Sequence, residues 1–378
     1  MPVLERLNVG LVGACGRGGN FASLFEALGA RIQAVCDIRA DKLEESRERL
    51  GADEKYTDYA QMLEHSDLDV VVIGTPMQFH VPQCILALEK GLHVLSEVPA
   101  GVSIEECQDL VKVCQKSKGI YMMGENYIYM KNNMLIRELV RQGLFGEVYY
   151  AEGEYLHELK ELNEETRWRR KWQTGIDGIT YGTHSLGPIL QWMPGDRVVR
   201  VSCEGSGCHY QDPRGDYYHQ ESPVMLCKTA KGALIKVRVD MISNRPSAGG
   251  TNYQLQGTDG VYESGRDGSY GRDKIWLRAL SEEMKWHDLS AVMNVDALME
   301  KYMPQMWRDP PQEARRSGHR GGDYFEVVEF VKAIQGKAPC PIGIHESMDL
   351  TLPGLVSQQS IAQGGAWLPV PDSREWTD

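Results

Sequence analysis

The feature that most constrains this chain is a short apolar run that ends in a glycine-rich turn and is answered, one helix later, by an acidic residue. Leu7-Asn8-Val9-Gly10-Leu11-Val12 has the composition of a strand buried on both faces. It runs into Gly13-Ala14-Cys15-Gly16-Arg17-Gly18-Gly19. Beyond the turn, Phe21, Leu24, Phe25 and Leu28 are spaced for one face of a helix that should stop at Gly29. In a dinucleotide-binding turn three glycines serve separately for the tight bend, for close approach of the pyrophosphate, and for helix–strand packing. Gly13 and Gly18 hold the first and third of these places and Cys15 the second, with Gly16 and Arg17 completing the turn. Asp37 ends the next predicted strand, where a carboxylate binds ribose hydroxyls and repels a 2′-phosphate. NAD is therefore the expected cofactor, with Arg39 close enough to soften the preference over NADP.

The first third of the chain continues the same alternation. Ile32 to Cys36 and Val70-Val71-Val72-Ile73 read as strands, Asp41 to Leu50 as a helix, and a further helix should end near Gly91. His93 to Ser96 and Ile120 to Met123 are the last strands, separated by a helix that opens on the capping box Ser103-Ile104-Glu105-Glu106. Strands alternating with helices imply right-handed crossovers and an open, mostly parallel sheet. The length of 378 residues suggests two domains. A Rossmann domain is expected over 1–124 and an α/β domain with an open, mainly antiparallel sheet over 125–378, whose last segment packs back on the first. Val148 to Glu154, Val199 to Glu204, Val224 to Thr229 and Ala233 to Met241 read as its strands. Tyr324, Val327, Val328, Val331 and Ile334 mark an amphipathic helix.

Composition narrows the partners. Lys and Arg number 41 against 53 Asp and Glu, a net charge of −12, so nucleic acid and anionic membranes are not expected partners. No apolar run reaches the roughly 18 residues of a membrane span, and Met1-Pro2-Val3-Leu4-Glu5-Arg6 lacks the apolar stretch of an export signal. The 9 cysteines are then expected as reduced thiols in a cytoplasm. Cys203, Cys208 and His209 invite a metal-site reading, but no second pair at zinc-site spacing accompanies them, so no metal is expected.

Two further segments, Val72-Ile73-Gly74-Thr75-Pro76-Met77-Gln78-Phe79-His80 and Gly91-Leu92-His93-Val94-Leu95-Ser96-Glu97-Val98-Pro99, resemble the glucose–fructose oxidoreductase/inositol dehydrogenase (Gfo/Idh/MocA) family. Leu144-Phe145-Gly146-Glu147-Val148 and Gly321-Gly322-Asp323 extend the resemblance over most of the chain. It implies cofactor contacts at Thr75, Pro76, His80, Glu97, Pro99 and Asn126. It also implies a carbohydrate substrate and a homo-oligomer built on the second sheet. Pro99, in a tight turn, is a candidate for a cis peptide. The sequence departs from the family's dehydrogenases at two places. Val98 stands where they carry a lysine between Glu and Pro, and Thr180 stands where they carry an aspartate four residues before the active-site histidine.

Tyr181-Gly182-Thr183-His184, with Glu154-Tyr155-Leu156-His157 upstream and Glu125-Asn126-Tyr127, looks like the branch known as glycoside hydrolase family 109. That resemblance implies active-site roles for Tyr155, Tyr181 and His184. Histidine suits the removal of a hydroxyl proton because its pKa lies near neutrality, which makes His184 the leading base and His157 a second candidate. Trp168-Arg169-Arg170-Lys171-Trp172 reads as a basic aromatic loop, able to stack on a sugar or simply to be solvated. Three functions stay open: redox-neutral glycoside cleavage through oxidation, elimination, water addition and re-reduction; net dehydrogenation of a sugar or polyol; and NAD sensing without catalysis.

Overall fold

The computed structural model describes residues 6–210, 220–242, 244–245, 250–266, 272–281, 283–290 and 300–376. Residues 1–5, most of the segment read for an export signal, lie outside the described residues. The chain divides into two compact units. The first comprises residues 1–126, 312–348 and 373–378, and the second 127–311 and 349–372.

The first unit is built on six strands: β1 (Asn8–Val12), β2 (Arg31–Cys36), β3 (Glu54–Tyr56), β4 (Val70–Ile73), β5 (His93–Glu97) and β6 (Tyr121–Gly124). They are parallel, in the order β3-β2-β1-β4-β5-β6. The linking helices are α1 (Ala22–Ala27), α2 (Ala40–Arg49), α3 (Tyr59–His65), α4 (His80–Glu89) and α5 (Ile104–Lys116). All four residues of β4 are buried, as a central parallel strand covered on both faces requires. The Ser103 hydroxyl caps α5 by accepting from the Glu106 N–H at 3.1 Å. A late helix, α10 (Gly322–Ile334), adds Val327, Phe330 and Val331 to the core formed by β1, β2, α1 and α2. The strand order reverses between β1 and β4, which opens a crevice at the carboxyl ends of the strands.

The second unit carries a sheet of nine strands in the order β14-β13-β12-β11-β7-β10-β9-β8-β15. These are β7 (Val148–Leu156), β8 (Val198–Glu204), β9 (Val224–Thr229), β10 (Leu234–Asp240), β11 (Gly250–Gly257), β12 (Gly260–Glu263), β13 (Lys274–Leu277), β14 (His287–Asp288) and β15 (Leu368–Pro369). Every pairing is antiparallel except β10 with β7. Burial alternates along β9 and β10: Met225, Cys227, Ile235 and Val237 are buried, whereas Leu226, Lys228, Lys236 and Arg238 are half-buried on the opposite face. Its helices include α6 (Lys131–Arg141), α7 (Lys160–Glu165), α8 (Trp168–Trp172) and α9 (Thr183–Gln191), with α11 (Ile344–Ala362) contributing its second half. The basic aromatic segment, expected as a loop, is the helix α8. Arg169 lies 4.5 Å over the Trp168 ring and Lys171 4.9 Å over Trp172, and Arg170 bonds Glu164 at 2.7 Å. Charges held by neighbouring rings and a carboxylate let the segment coil into a short helix.

Backbone-on-backbone packing accounts for the glycines of the first turn. A Cβ on Gly18 would stand 2.2 Å from the Val12 carbonyl oxygen, and one on Gly74 would stand 2.4 Å from the Gly18 nitrogen. Gly16 differs, its nearest neighbour being the tip of Arg39 at 3.4 Å. Gly18→Ala should therefore cost about 3 kcal/mol and Gly16→Ala under about 1 kcal/mol. Denaturant midpoints of the two variants check this, and equal losses would refute it.

Candidate active site

All the expected cofactor residues lie in the first unit, at or just beyond the carboxyl ends of β1, β2, β4, β5 and β6. The turn after β1 is anchored by Gly13 and Ala14, whose N–H groups donate to the Cys36 carbonyl at 2.9 and 3.2 Å. Gly13 has φ +74°, and a Cβ there would meet the Gly74 oxygen at 2.5 Å. Cys15, in the place of a second glycine, turns its side chain onto the core beside α2. Burial raises its thiol pKa, so it is held as a thiol. The Cys15 N–H donates to Asp37 at 2.9 Å. Burial would raise the Asp37 pKa, but the hydrogen bonds from Arg39 and Cys15 outweigh it and lower the pKa.

Between β4 and β5 the carbonyl oxygens of Thr75 and Pro99 lie 2.9 Å from the two ring nitrogens of His80, which is 1% exposed. His80 thus ties the Thr75-Pro76 turn to the Glu97-Val98-Pro99 turn. Burial lowers its pKa, against the pull of the two carbonyls. The Val98–Pro99 peptide is cis.

Arg17 joins these turns to the late helix. Its Nε donates to Glu97 at 2.6 Å, and its Nη1 and Nη2 donate to Asp323 at 2.9 and 3.1 Å. Asp323 also accepts from Asn126 at 2.8 Å and lies 2.9 Å from His319 Nδ1. Burial would raise the Asp323 pKa, but His319 and Arg17 drive it far below the usual carboxylate range. Two residues just before α10, His319 and Arg320, have φ of +51° and +57°. This left-handed backbone is costly outside glycine and aims His319 at Asp323.

One turn further along α10, Glu326 is fully buried, with both carboxyl oxygens lacking a hydrogen-bond partner among the described residues. It packs so closely on Gly124 that a Cβ there would stand 2.8 Å from it. Burial, followed by the charges of Asp323 and Glu97, raises its pKa well above the usual value, so it is held as the neutral acid. Sequence reasoning missed His319, Glu326 and the pairing of Asp323. Their one signal is a set of ionisable residues on the buried face of a helix.

These residues fit a dinucleotide. The glycines admit backbone where a side chain would clash, a buried carboxylate closes β2, and Asn126 Oδ1 is a buried acceptor without a hydrogen-bond partner among the described residues, suited to an amide donor.

The four expected catalytic residues lie in the second unit and form one cluster. A Cβ on Gly153 would stand 2.7 Å from the Ser185 carbonyl oxygen, so glycine there lets α9 rest directly on β7. This brings Tyr155 of β7 to His184 of α9, with ring centroids 5.3 Å apart. Tyr181, just before α9, meets His184 edge-on at 5.1 Å and lies 5.5 Å from Tyr155. The bend before α9 is held from α11, where the Ser357 hydroxyl accepts from the Ile179 N–H at 2.8 Å. His157 stacks on Tyr155 at 5.7 Å. Burial lowers its pKa, and the charge of Arg169 lowers it further, so the ring is neutral near pH 7. Two tyrosines missed in the sequence complete the cluster. Tyr127 stacks on His184 at 4.1 Å, and the Tyr253 hydroxyl donates to the His184 carbonyl at 2.5 Å. Tyr127 adjoins Asn126, but nothing in its spacing marks it as a partner of a residue in α9.

With this geometry in view, comparison with known proteins defines the class. Residues 7–125 match the oxidoreductase family with an NAD-binding Rossmann fold, and residues 129–377 match the C-terminal domain of glycosyl hydrolase 109. A glycosyl hydrolase family 109 protein of Saccharopolyspora erythraea is 30% identical, over 97% of this chain and 83% of the relative. A protein of Shewanella oneidensis named alpha-N-acetylgalactosaminidase is 28% identical, over 98% of this chain and 86% of its own. Among solved structures, a levoglucosan dehydrogenase with NADH and levoglucosan has a TM-score of 0.81 at 19% identity, covering 97% of this chain and 100% of that one. A dehydrogenase of Bordetella pertussis with NADH and UDP-GlcNAcA has a TM-score of 0.76 at 21% identity, covering 98% and 99%. These two likenesses establish the fold. The chain belongs to glycosyl hydrolase family 109, the Gfo/Idh/MocA branch expected from its motifs, and is an enzyme with an NAD-binding Rossmann domain.

Glu326 generates a pH prediction. A carboxyl whose pKa is higher folded than unfolded binds a proton on folding, so it imposes no penalty well below the unfolded value of about 4.3 and a growing one above it. Glu326→Gln should match the wild type in stability near pH 4 and exceed it increasingly toward pH 7. Urea midpoints across that range check this, and a difference independent of pH would refute a neutral Glu326.

Proposed function

We propose that the enzyme cleaves a glycoside without net redox change, oxidising a ring carbon, eliminating the aglycone and restoring the hydride after water adds. The observation that carries this reading is the cluster of His184, Tyr155, Tyr181 and Tyr127 in a chain of family 109 that has Val98 and Thr180 at the dehydrogenase lysine and aspartate positions.

In the first unit the Gly13–Gly18 turn, Asp37, Thr75, Pro76, Glu97, Pro99 and Asn126 hold the dinucleotide, with Cys15, Gly16 and Arg17 shaping the turn and His80 fixing two of its walls. NAD supplies a reversible hydride acceptor. In the second unit His184 takes the proton of the hydroxyl at the carbon to be oxidised and returns it when the hydride comes back. Tyr181 and Tyr155, whose rings flank the imidazole, orient the sugar hydroxyls and hold His184 in place. Tyr155 and Tyr127 bury the imidazole, which is 5% exposed, and so limit water at the base. His157, neutral at working pH, is the second base, suited to removing the proton beside the transient ketone. No paired carboxylates of an ordinary glycosidase are needed. The sugar-binding neighbours and the glycosidase-named relatives support a carbohydrate substrate.

We infer in addition a homo-oligomer formed on the second sheet. What supports it is the face carrying Leu226, Lys236 and Arg238, where half-buried apolar and charged residues mix and Lys236 pairs with Glu152. A cytoplasmic location suits the free thiols of all nine cysteines. No helix among the described residues is long and apolar enough to cross a membrane.

Incubation with aryl glycosides in deuterated water tests the reaction. Aglycone release, deuterium at the carbon beside the transient ketone and no net NADH are expected. NADH accumulating steadily from a free sugar or polyol would instead identify a net dehydrogenase, and nucleotide binding without any turnover a sensor. His184→Ala should slow single-turnover reduction of NAD by about 10²-fold or more. A wild-type rate in that variant would remove His184 from the base role.

A further inference from the structure

Helix α9 carries a proline in its interior. Pro188 is the sixth of its nine residues and is buried. In an α-helix the N–H of residue 188 donates to the carbonyl of residue 184. Proline has no N–H, and its ring crowds that same carbonyl. The bond deleted from α9 is therefore the one that would fix the backbone of His184.

A hydroxyl from the sheet stands in for the missing donor. Tyr253 of β11, 5% exposed, donates to the His184 carbonyl at 2.5 Å. The strand register puts it there. Tyr253 pairs with Gly153 of β7, and paired residues of adjacent strands project from one face of a sheet. Gly153, without a side chain, lets α9 rest on the sheet, and Tyr253 beside it reaches the helix backbone. Tyr253 is itself held. Its N–H donates to the Ser264 hydroxyl at 2.7 Å, and its carbonyl accepts from the Ser264 N–H at 2.9 Å. Its ring meets Trp192, just beyond α9, edge-on at 5.5 Å. We propose that Tyr253 is a positioning residue of the active site: its hydroxyl replaces the donor that Pro188 removes and so sets the direction in which the imidazole leaves the helix. The surrounding rings hold the imidazole from its sides, and Tyr253 holds the backbone that carries it. Without that bond the proline turn kinks further and draws His184 away from Tyr127, Tyr155 and Tyr181. The role in catalysis rests on the reading of His184 as the base.

Full-length wild type, Tyr253→Phe, Pro188→Ala and the double variant test this. Tyr253→Phe deletes one oxygen and keeps the ring on Trp192. Pro188→Ala returns an N–H to residue 188 and with it a donor for the His184 carbonyl. In histidine-labelled protein the imidazole of His184 has its own NMR resonance, assigned by its loss in His184→Ala. That resonance should move in Tyr253→Phe, whereas the resonance of His80, in the other unit, should not. Single-turnover reduction of NAD⁺ with aryl glycosides should slow about tenfold, the scale of a shift of under about 1 Å in a catalytic group. The half-saturating glycoside concentration should change less than about twofold. In the double variant both resonance and rate should return most of the way to wild type. A purely structural role would lower the urea midpoint of Tyr253→Phe and leave resonance and rate in place, which overturns the proposal. A double variant no better than Tyr253→Phe overturns it too. The resonance needs no substrate, so it decides the matter whether or not these glycosides are turned over. If the resonance moves and recovers while the rate never changes, the hold on His184 stands and its reading as the base falls. Should Tyr253→Phe fail to fold, recovery of folding in the double variant supports the replacement of one donor by the other, and its absence overturns it.

Discussion

A single guanidinium joins the parts of the nucleotide-binding unit. Arg17, in the glycine turn after β1, bonds Glu97 at the end of β5, 80 residues on, and Asp323 in α10, 306 residues on. Its charge is expensive to bury, and two carboxylates together outweigh that cost. Asn126 and His319 then occupy the remaining positions around Asp323, so four segments far apart in sequence share one polar array. Such an array is favourable only when complete, because removal of any member strands the rest in a low dielectric. Glu326, one turn deeper, adds a carboxyl whose pKa burial and its acidic neighbours raise. The site thereby keeps more acid groups than negative charges.

The second unit solves a different problem. Its chemistry needs rings and imidazoles in mutual contact, and the means is close approach of a helix to a sheet. Gly153 removes the side chain that would hold α9 away from β7. Ser357 and Gly354 of α11 fix the bend that leads into α9, since a Cβ on Gly354 would stand 2.2 Å from the Ile179 oxygen. Rings drawn from β7, from the bend, from α9 and from residue 127 then pack as a unit. Their edge and stacked contacts define the position of His184 more tightly than a single hydrogen bond would.

Much of the fold is legible in the sequence, and the residues show why. Val70 to Ile73 can only be a buried strand, and Ser103 with Glu106 can only begin a helix, because both signals are local. The glycine turn and Asp37 are legible for the same reason, as is the Tyr181–His184 pair through its resemblance. Glu54–Tyr56 and the strands after Gly250 are not, since edge strands and polar hairpins lack a continuous apolar run. Cys15 looks from its spacing like a defect in the nucleotide turn, yet the fold absorbs it by turning the thiol inward. The Trp168–Trp172 segment looks like a loop because its run of charges masks any apolar periodicity, yet it is helical. The burial of Glu326 and the stacking of Tyr127 on His184 are not legible, although Tyr127 lies in a segment that carries the family resemblance. Their roles come from what the chain brings beside them from hundreds or dozens of residues away.

The long separation between Arg17 and Asp323 also bears on how the polypeptide is made. Another 306 residues must leave the ribosome after Arg17 before its guanidinium acquires its second counter-ion. Until then the nascent Rossmann sheet lacks the helix that completes the core shared by Val9, Leu11 and Ile32 as well as the acid that anchors its first turn. A premature stop codon upstream of residue 323 would therefore do its first damage around Arg17, in a unit already synthesised.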